Sequence, residues 1–305
     1  MTGVTAGGTL VSVNGAIVAK LSAHTVFDSN NITETRGYGI DCYDSAQVVI
    51  RNNTTNNAEN GIWVEGSCPG YLIDNNQITG SKGAGIQVSN TVPGASPDGI
   101  IQRNFLSNNK SGIVLSTHLA DNSTVRYNLI VNTKTSTTDG DIKVFLADNV
   151  KIFNNTLVNG GGNGISFYSS GSDVPDNSLV ENNLVYNPKG YALLVGYNIV
   201  KYGTGNIWDH NSYYKPLGNL ISWKGQDFSA GQFANYQQVN SQDAHSMITD
   251  PLFISSSDYR LQPLSPLINA GIDLGLNFDF TGNLLAQGSS DDIGAFEYIL
   301  PTEPN

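Results

Sequence analysis

Short apolar segments separated by polar turns recur along the chain, and an asparagine closes each segment. These asparagines are Asn30, Asn53, Asn76, Asn104, Asn128, Asn155, Asn183 and Asn211. Successive members lie 23 to 28 residues apart. A repeat of this length is typical of a solenoid, in which each unit stacks on its neighbours.

A second signal in most repeats is a glycine followed by alternating apolar and polar residues. It occurs at Gly39-Ile40, Gly61-Ile62, Gly85-Ile86, Gly112-Ile113 and Gly164-Ile165, with Asp141-Ile142 and Tyr191-Ala192 in the same place. Alternation with a period of two indicates β-strands, and no helical period occurs between the strand segments. Two or three short strands in a unit of this size predict one coil of a parallel β-helix.

The alternation also predicts which side chains point into the coil. An inward apolar residue stands three positions before seven of the asparagines: Phe27, Ile50, Ile73, Ile101, Val125, Ile152 and Val180. The strand after the glycine contributes the inward row Cys42, Val64, Val88, Leu115, Val144, Phe167 and Leu194. We expect the asparagines to turn inward as well and to hydrogen-bond from coil to coil.

We predict one domain over residues 1–300. Residues 1–23 form an N-terminal cap, 24–201 the regular coils, and 202–300 irregular last coils with an aromatic-rich C-terminal cap that closes the apolar end. Residues 301–305 are interpreted as the start of a linker, and the chain as part of a larger exported protein. Insertions at 90–97, 133–139 and 168–175 are expected to flank a groove.

The amino-acid composition narrows the range of possible partners and cellular locations. The 305 residues carry a net charge of −11, which disfavours nucleic acid as a partner because phosphates require Lys and Arg. No apolar run is long enough to span a membrane, and no signal peptide opens the chain. Of the two cysteines, Cys42 is expected to be a buried free thiol, with a Cys42–Cys68 disulfide as the alternative. We expect a monomer at an extracellular or cell-surface location.

Carboxylates gather on the outer wall of the first coils. Asp41, Tyr43 and Asp44 belong to one coil, and Trp63 and Glu65 to the next. Three acids at this spacing repel one another and raise at least one pKa unless a cation lies between them. They are therefore candidates for the acid and base of a glycoside hydrolase, or for ligands of Ca²⁺, with no cofactor otherwise required. A solvated acidic face is the alternative.

Other residues are assigned to the same wall. Tyr38, Tyr43, Lys143 and His118 are candidate bases for removing a proton from a uronate, and Trp63, Gln87, Ser89 and Tyr168 are candidates for binding sugar rings. Arg51 is interpreted as an ion-pair partner of Asp28 and Asp74, or as a clamp on a substrate carboxylate. His210 and His245 are interpreted as structural.

The C-terminal segments Gln242-Asp243-Ala244-His245-Ser246, Asp250-Pro251-Leu252-Phe253 and Asp292-Ile293-Gly294-Ala295-Phe296-Glu297 resemble the ending of many exported right-handed parallel β-helix repeat proteins. That superfamily includes pectate and alginate lyases, polygalacturonase-like hydrolases, mannuronan C5-epimerases and the catalytic domains of archaeal disaggregatases. The resemblance implies an all-β, right-handed parallel β-helix that acts on a polysaccharide.

One short stretch resembles a subgroup. Tyr38-Gly39-Ile40-Asp41-Cys42-Tyr43-Asp44 is similar to the Tyr-Gly-Phe-Asp-Pro-His-Glu stretch of mannuronan C5-epimerases, with Tyr43 where that family has its catalytic histidine. We therefore expect glycosidic cleavage of a matrix or cell-wall polymer, with hydrolysis ahead of β-elimination and C5-epimerisation third. A non-catalytic carbohydrate-binding or cell-surface scaffold is the alternative from another class.

Overall fold

The computed structural model describes residues 4–5, 15–89, 98–135, 139–285 and 288–299, with side chains from residue 17 onward. Over these ranges the chain is an all-β, right-handed parallel β-solenoid of about seven turns whose strands form three long sheets. In this part of the chain no helix combines the length and apolar character needed to cross a membrane. Most of residues 1–23, the insertion 90–97, part of the insertion 133–139 and the linker 301–305 lie outside the described residues.

The first sheet, sheet 1, has nine strands among the described residues. They are β1 (Val4–Thr5), β3 (Val26–Asp28), β6 (Val49–Arg51), β9 (Leu72–Asp74), β12 (Ile100–Gln102), β15 (Thr124–Arg126), β18 (Lys151–Phe153), β21 (Leu179–Glu181) and β24 (Ile207–Asp209). All pairs are parallel except β1 with β3.

Sheet 2 has eight parallel strands within the described ranges. They are β4 (Asn31–Thr33), β7 (Thr54–Asn56), β10 (Gln77–Thr79), β13 (Phe105–Ser107), β16 (Leu129–Val131), β19 (Thr156–Val158), β22 (Leu184–Tyr186) and β25 (Ser212–Tyr214). A corner of two residues joins each sheet 1 strand to the sheet 2 strand that follows it.

Sheet 3 carries the longest strands, ten in the residues that the structure describes. They are β2 (Gly15–Lys20), β5 (Tyr38–Tyr43), β8 (Ile62–Glu65), β11 (Ala84–Val88), β14 (Ser111–Ser116), β17 (Gly140–Phe145), β20 (Asn163–Tyr168), β23 (Leu193–Val195), β26 (Asn219–Trp223) and β27 (Gln226–Ser229). The hairpin partner β27 is antiparallel to β26. Two short α-helices occur in the described residues: α1 (Tyr197–Tyr202) lies between β23 and β24, and α2 (Phe233–Asn240) comes after β27.

The asparagine ladder is confirmed and is continuous. From Asn30 to Asn183, each ladder asparagine donates its backbone N–H and its side-chain Nδ2 to the Oδ1 of the next, over 2.8 to 3.1 Å. Ser246 Oγ accepts the backbone N–H of Asn211 at 2.8 Å and so ends the ladder. The residue before each ladder asparagine has a positive φ, which explains the Asn-Asn doublets because asparagine tolerates that conformation.

The core follows the predicted rows except in the last regular coil. The seven predicted sheet 1 residues are all fully buried. In sheet 3, however, Phe167 pairs with Val195 and Ser166 with Leu194. The prediction of an inward Leu194 is therefore wrong by one residue, because Leu193 and not Ala192 is the Cα partner of Ile165. Cys42 is a buried free thiol, as expected, and the Sγ atom of the buried Cys68 lies 2.9 Å from its Sγ atom.

The C-terminal segment has two roles where one was predicted. Trp208, Trp223, Phe228, Phe233 and Tyr236 pack together and close the end of the solenoid, as expected. Residues 250–285 and 288–297 instead run back along the outer face of sheet 2. There, Phe253, Leu261, Phe280, Ile293 and Phe296 cover outward apolar residues such as Leu129, Val158 and Leu184.

The motif around Gly294 fastens this returning segment. Gly294 donates its N–H to Asn182 O at 2.8 Å, and Ala295 donates to Thr156 Oγ1 at 2.8 Å. The φ of Gly294 is +113°, and a Cβ there would lie 2.9 Å from Thr156 Oγ1, so glycine is required. The Asp292–Glu297 motif is thus part of the packing against sheet 2.

Candidate functional site

The outer face of sheet 3 brings four of the predicted site residues together at the first coils. Asp41 and Tyr43 lie on β5, and Trp63 and Glu65 on β8, with Asp41 opposite Trp63 and Tyr43 opposite Glu65. Cys42 between them belongs to the hydrophobic core, so these four side chains point away from it. We call this group, with Tyr38 and Lys20, the Asp41 cluster.

Asp41 is unusual for an outward carboxyl group because it is only 3% exposed. Burial, with a smaller contribution from the charge of Glu65, raises the pKa of Asp41 to about 7, although Lys20 opposes the change. Its Oδ1 is buried and has no hydrogen-bond partner among the described residues. Burial and the nearby Asp44 also raise the pKa of Glu65. The cluster therefore holds a carboxyl group that is protonated for a large fraction of the time at neutral pH.

Lys20 is a member of the cluster that the sequence analysis missed. Strand β2 extends sheet 3 beyond β5, which places Lys20 opposite Tyr43. Lys20 Nζ lies 4.9 Å from the centroid of the Tyr43 ring, and its charge lowers the pKa values of Asp41 and Glu65. The signal was present in the sequence, since Lys20 precedes Tyr43 by one 23-residue repeat.

Trp63 and Tyr38 form the aromatic side of the cluster. Their ring centroids are 4.1 Å apart with an interplanar angle of 61°. The Trp63 residue as a whole is partly buried. Its Nε1 atom is fully buried and has no hydrogen-bond partner among the residues that the structure describes. Burial, followed by the charges of Glu65 and Asp41, raises the pKa of Tyr38, which makes the phenol a poorer base at neutral pH.

Asp44 has a structural task. Its φ is +46°, and its Oδ1 accepts the backbone N–H of Ser67 at 2.7 Å, which holds the turn of the next coil.

The predicted metal ligands Asp41, Asp44 and Glu65 do not form a close group. Three side chains that could share a metal ion would have one ligand atom each within 4.8 Å of the others, and these three do not meet that condition. In the described part of the chain such groups occur at His118, Asp121 and Asp148, and at Asp209, His210 and His245.

The wall continues from the Asp41 cluster along sheet 3. Gln87 pairs with Trp63, and its Nε2 donates to Ser89 Oγ at 2.9 Å, while Asn60 Nδ2 donates to Gln87 Oε1 at 3.2 Å. These side chains present oriented amide and hydroxyl groups beside the indole. They extend the polar surface by one coil in the direction that a linear polymer would follow.

Two of the predicted bases lie far from this cluster. Lys143 is on β17, four strands from β5, which corresponds to about 19 Å at the usual strand spacing. There it pairs with Asp139 Oδ1 at 2.8 Å and lies 5.3 Å from the Tyr168 ring centroid. Lys143 and Tyr168 therefore form a separate patch of the wall, and Lys143 is not a base for the Asp41 cluster.

Three carboxylates lie close to the His118 ring. Its Nδ1 lies 3.3 Å from Asp121 and 3.8 Å from Asp148, and its Nε2 lies 3.3 Å from Asp173. These carboxylates raise the pKa of His118 against the opposing effect of burial, which is the largest single influence. The residue follows β14, three strands from β5, and is also outside the Asp41 cluster.

Arg51 lies on sheet 1 and not on the wall of sheet 3. Its Nε donates to Asp28 Oδ2 at 2.8 Å, in keeping with the ion-pair interpretation. The predicted second partner is wrong, because Arg103 binds both oxygens of Asp74, at 2.8 and 2.5 Å. With its strand on a different sheet, Arg51 is not a clamp for a substrate at the Asp41 cluster.

Comparison with known proteins agrees with the fold. A family model described as a right handed beta helix region matches residues 4–96 and 94–213. A search of curated proteins finds no match.

Two kinds of solved structure are similar to the chain. A double mutant of the periplasmic alginate epimerase AlgG is 20% identical, with a TM-score of 0.50, over 65% of this chain and 47% of that one. The chain thus spans about half the length of that protein. The pectate lyase Pel9A is 13% identical over 90% of this chain and 82% of its own, with a TM-score of 0.45.

Proposed function

The chain belongs to the right-handed β-helix family, and from the Asp41 cluster we propose that it is an enzyme that cleaves a polysaccharide along the outer wall of its first coils. The proposal includes hydrolysis as the reaction and an extracellular or cell-surface location. One observation carries it. On two directly paired residues, Asp41 Oδ1 and Trp63 Nε1 are buried polar atoms that find no hydrogen-bond partner within the described ranges.

Unsatisfied buried polar atoms are costly, at about 1–3 kcal/mol each, so each calls for an explanation, of which a ligand that supplies the missing hydrogen bond is one. A sugar supplies hydroxyl groups that accept from an indole N–H and donate to a carboxyl oxygen. The apolar face of a sugar ring also suits an indole. A linear polymer is favoured over a small metabolite because the polar wall continues to Gln87 and Ser89.

Asp41 and Glu65, the two carboxyl groups whose pKa values are raised, have complementary roles in this hypothesis. Asp41, with a pKa of about 7, is the general acid that protonates the departing glycosidic oxygen. Glu65 is the more exposed of the two acids and acts as the base or nucleophile. Lys20 helps to keep Glu65 ionised, because its positive charge lowers the pKa of that carboxyl group.

β-Elimination on a uronate is the second candidate reaction. The presence of the Lys20 ammonium group in the Asp41 cluster favours it. This reaction needs a positive charge to neutralise the substrate carboxylate, and Lys20 supplies one beside Tyr43. β-Elimination leaves a new double bond in its products, which therefore absorb ultraviolet light. Hydrolysis yields new reducing ends without that absorbance.

The test is product formation on a panel of neutral and uronate-containing polysaccharides. We expect reducing ends without ultraviolet absorbance, and a loss of about 100-fold or more in kcat for Asp41→Asn with polymer binding retained. The matched control is Asp28→Asn, an aspartate of the same coil that lies on sheet 1, which should keep wild-type activity. Binding without any product would indicate a carbohydrate-binding scaffold, and full activity of Asp41→Asn would refute the proposed site.

A further inference from the structure

Two imidazoles and a carboxylate, none of them part of the Asp41 cluster, lie together at the end of β24, the last described strand of sheet 1. Asp209 ends β24, His210 follows at the corner, and His245 comes from the segment after α2. Asp209 Oδ2 lies 2.7 Å from His245 Nδ1 and 3.7 Å from His210 Nδ1. The two imidazole rings are stacked, with centroids 4.7 Å apart and an interplanar angle of 14°.

Backbone hydrogen bonds hold this group in place. Asp209 Oδ1 accepts the backbone N–H groups of His210, at 2.9 Å, and His245, at 2.7 Å. The other oxygen of the carboxylate is therefore directed at both rings. Such outer hydrogen bonds are the usual means by which proteins orient metal ligands.

His210 Nδ1 is a buried nitrogen that has no hydrogen-bond partner in the part of the chain that the structure describes. The residue occupies the corner position with a φ of +52°, where earlier coils have asparagine at residues 52, 75, 154 and 182. Histidine is thus not required by the corner itself. One ring nitrogen of His210, one ring nitrogen of His245 and an oxygen of Asp209 lie within 4.8 Å of one another.

We propose that Asp209, His210 and His245 form a binding site for a divalent transition-metal ion, with Zn²⁺ the best match. Two imidazoles and one carboxylate are typical zinc ligands, with bond lengths of about 2.0–2.2 Å, whereas Ca²⁺ prefers oxygen ligands alone. Glu181, which pairs with Asp209 on the neighbouring strand, is available as a fourth ligand. A water molecule is the alternative in that position.

The second histidine group does not support the same inference. His118 is the one imidazole in that group, and both of its nitrogens already face carboxylates at 3.3 Å. Ion pairing therefore accounts for it without a metal. At Asp209, by contrast, two imidazole nitrogens face a single carboxylate oxygen and one of them is unsatisfied.

The position of the site gives the ion a structural role. Ser246, the residue after His245, accepts the N–H of Asn211 and ends the asparagine ladder. Asp243 in the same segment accepts hydrogen bonds from Tyr213, Tyr236 and Ser246 inside the C-terminal cap. An ion shared by His210 and His245 would join the last coil to this segment and stabilise the closed end of the solenoid.

The test is calorimetric titration of the full chain with zinc chloride after dialysis against a chelator. We expect one site in the wild type and an affinity reduced by about 100-fold or more in His210→Asn and in His245→Gln. His210→Asn keeps a residue that earlier coils use at this corner, so it should fold normally. His118→Gln is the matched control and should bind zinc as the wild type does.

A melting experiment adds a second readout. Zinc at about 100 times its Kd should raise the melting temperature of the wild type by about 5 °C and leave that of His210→Asn unchanged. The absence of zinc binding in the wild type would overturn the proposal. So would binding that persists in both variants, or binding that only His118→Gln removes.

Discussion

Asn128 offers a quantitative test of the asparagine ladder. It is fully buried, and its Oδ1 accepts both the backbone N–H and the Nδ2 of Asn104, at 3.1 and 2.9 Å. Its own Nδ2 donates to Ile101 O, Arg126 O and Asn155 Oδ1. The substitution Asn128→Ala therefore leaves one buried backbone donor without a partner and removes the side-chain bonds on both sides.

The expected cost follows from these contacts. The orphaned N–H of Asn104 costs about 1–3 kcal/mol, and the four lost side-chain bonds contribute about 1 kcal/mol net each, which gives roughly 5–7 kcal/mol in total. Asn30→Ala is a control from the same ladder. Asn30 is its first member and its Oδ1 accepts no hydrogen bond, so this change orphans no backbone donor and should cost only about 1–2 kcal/mol.

Urea unfolding, followed by far-ultraviolet circular dichroism and tryptophan fluorescence, measures the difference. We expect the order wild type, Asn30→Ala, Asn128→Ala in decreasing free energy of unfolding. Asn31→Ala, at an exposed asparagine next to the ladder, should match the wild type. Equal free energies of unfolding for Asn128→Ala and Asn30→Ala would refute the reasoning. They would mean that hydrogen bonds from buried backbone donors of one coil to the asparagine of the next do not stabilise the solenoid.

Three further predictions concern pH and the aromatic wall. If Asp41 is the general acid, the catalytic rate should fall as pH rises through about 7, because ionisation removes the proton that it donates; a flat profile from pH 6 to 8 would contradict this role. Trp63→Ala should weaken polymer binding at least about tenfold, measured by affinity electrophoresis, whereas unchanged binding would place the sugar elsewhere. Burial raises the pKa of Asp141 to about 7, so the folded state keeps a proton that the unfolded state has already lost near pH 4. Stability should therefore fall between about pH 4 and pH 7, and Asp141→Asn should reduce this fall, measured as unfolding midpoints at both pH values; an identical fall in both proteins would contradict the raised pKa.

Much of the coil architecture could be predicted because each coil imposes the same requirements on the sequence. A ladder asparagine must lie above another asparagine, and an inward residue such as Ile50 must lie above another apolar residue. These requirements produce a period that can be measured directly. The register error at Leu194 arose where the usual Gly-Ile signal gives way to Tyr191-Ala192-Leu193.

The rest depended on contacts between segments that are distant in sequence. Leu129-Ile130-Val131 is apolar on both faces, which indicates a strand covered on both sides, but not which segment covers it. The cover proved to be the returning chain around Phe296. Similarly, no local pattern relates His210 to His245, because the intervening cap must fold before the two rings meet.

In the candidate site, the sequence identified Asp41, Tyr43, Trp63 and Glu65 as neighbours because strand alternation and the repeat length fix their positions. It could not indicate that Asp41 is almost fully buried, since burial of an outward residue depends on the surrounding side chains. That burial, and not the presence of the acid alone, gives the group its raised pKa.

A crystal structure of Asp41→Asn with an oligosaccharide that the wild type cleaves would test the central claim most directly. We expect a sugar ring against Trp63, with the glycosidic oxygen within hydrogen-bond distance of residue 41 and the chain extending toward Gln87. An oligosaccharide bound on another face, such as the groove that Tyr186, Asp250 and Tyr259 line beside sheet 2, would contradict it.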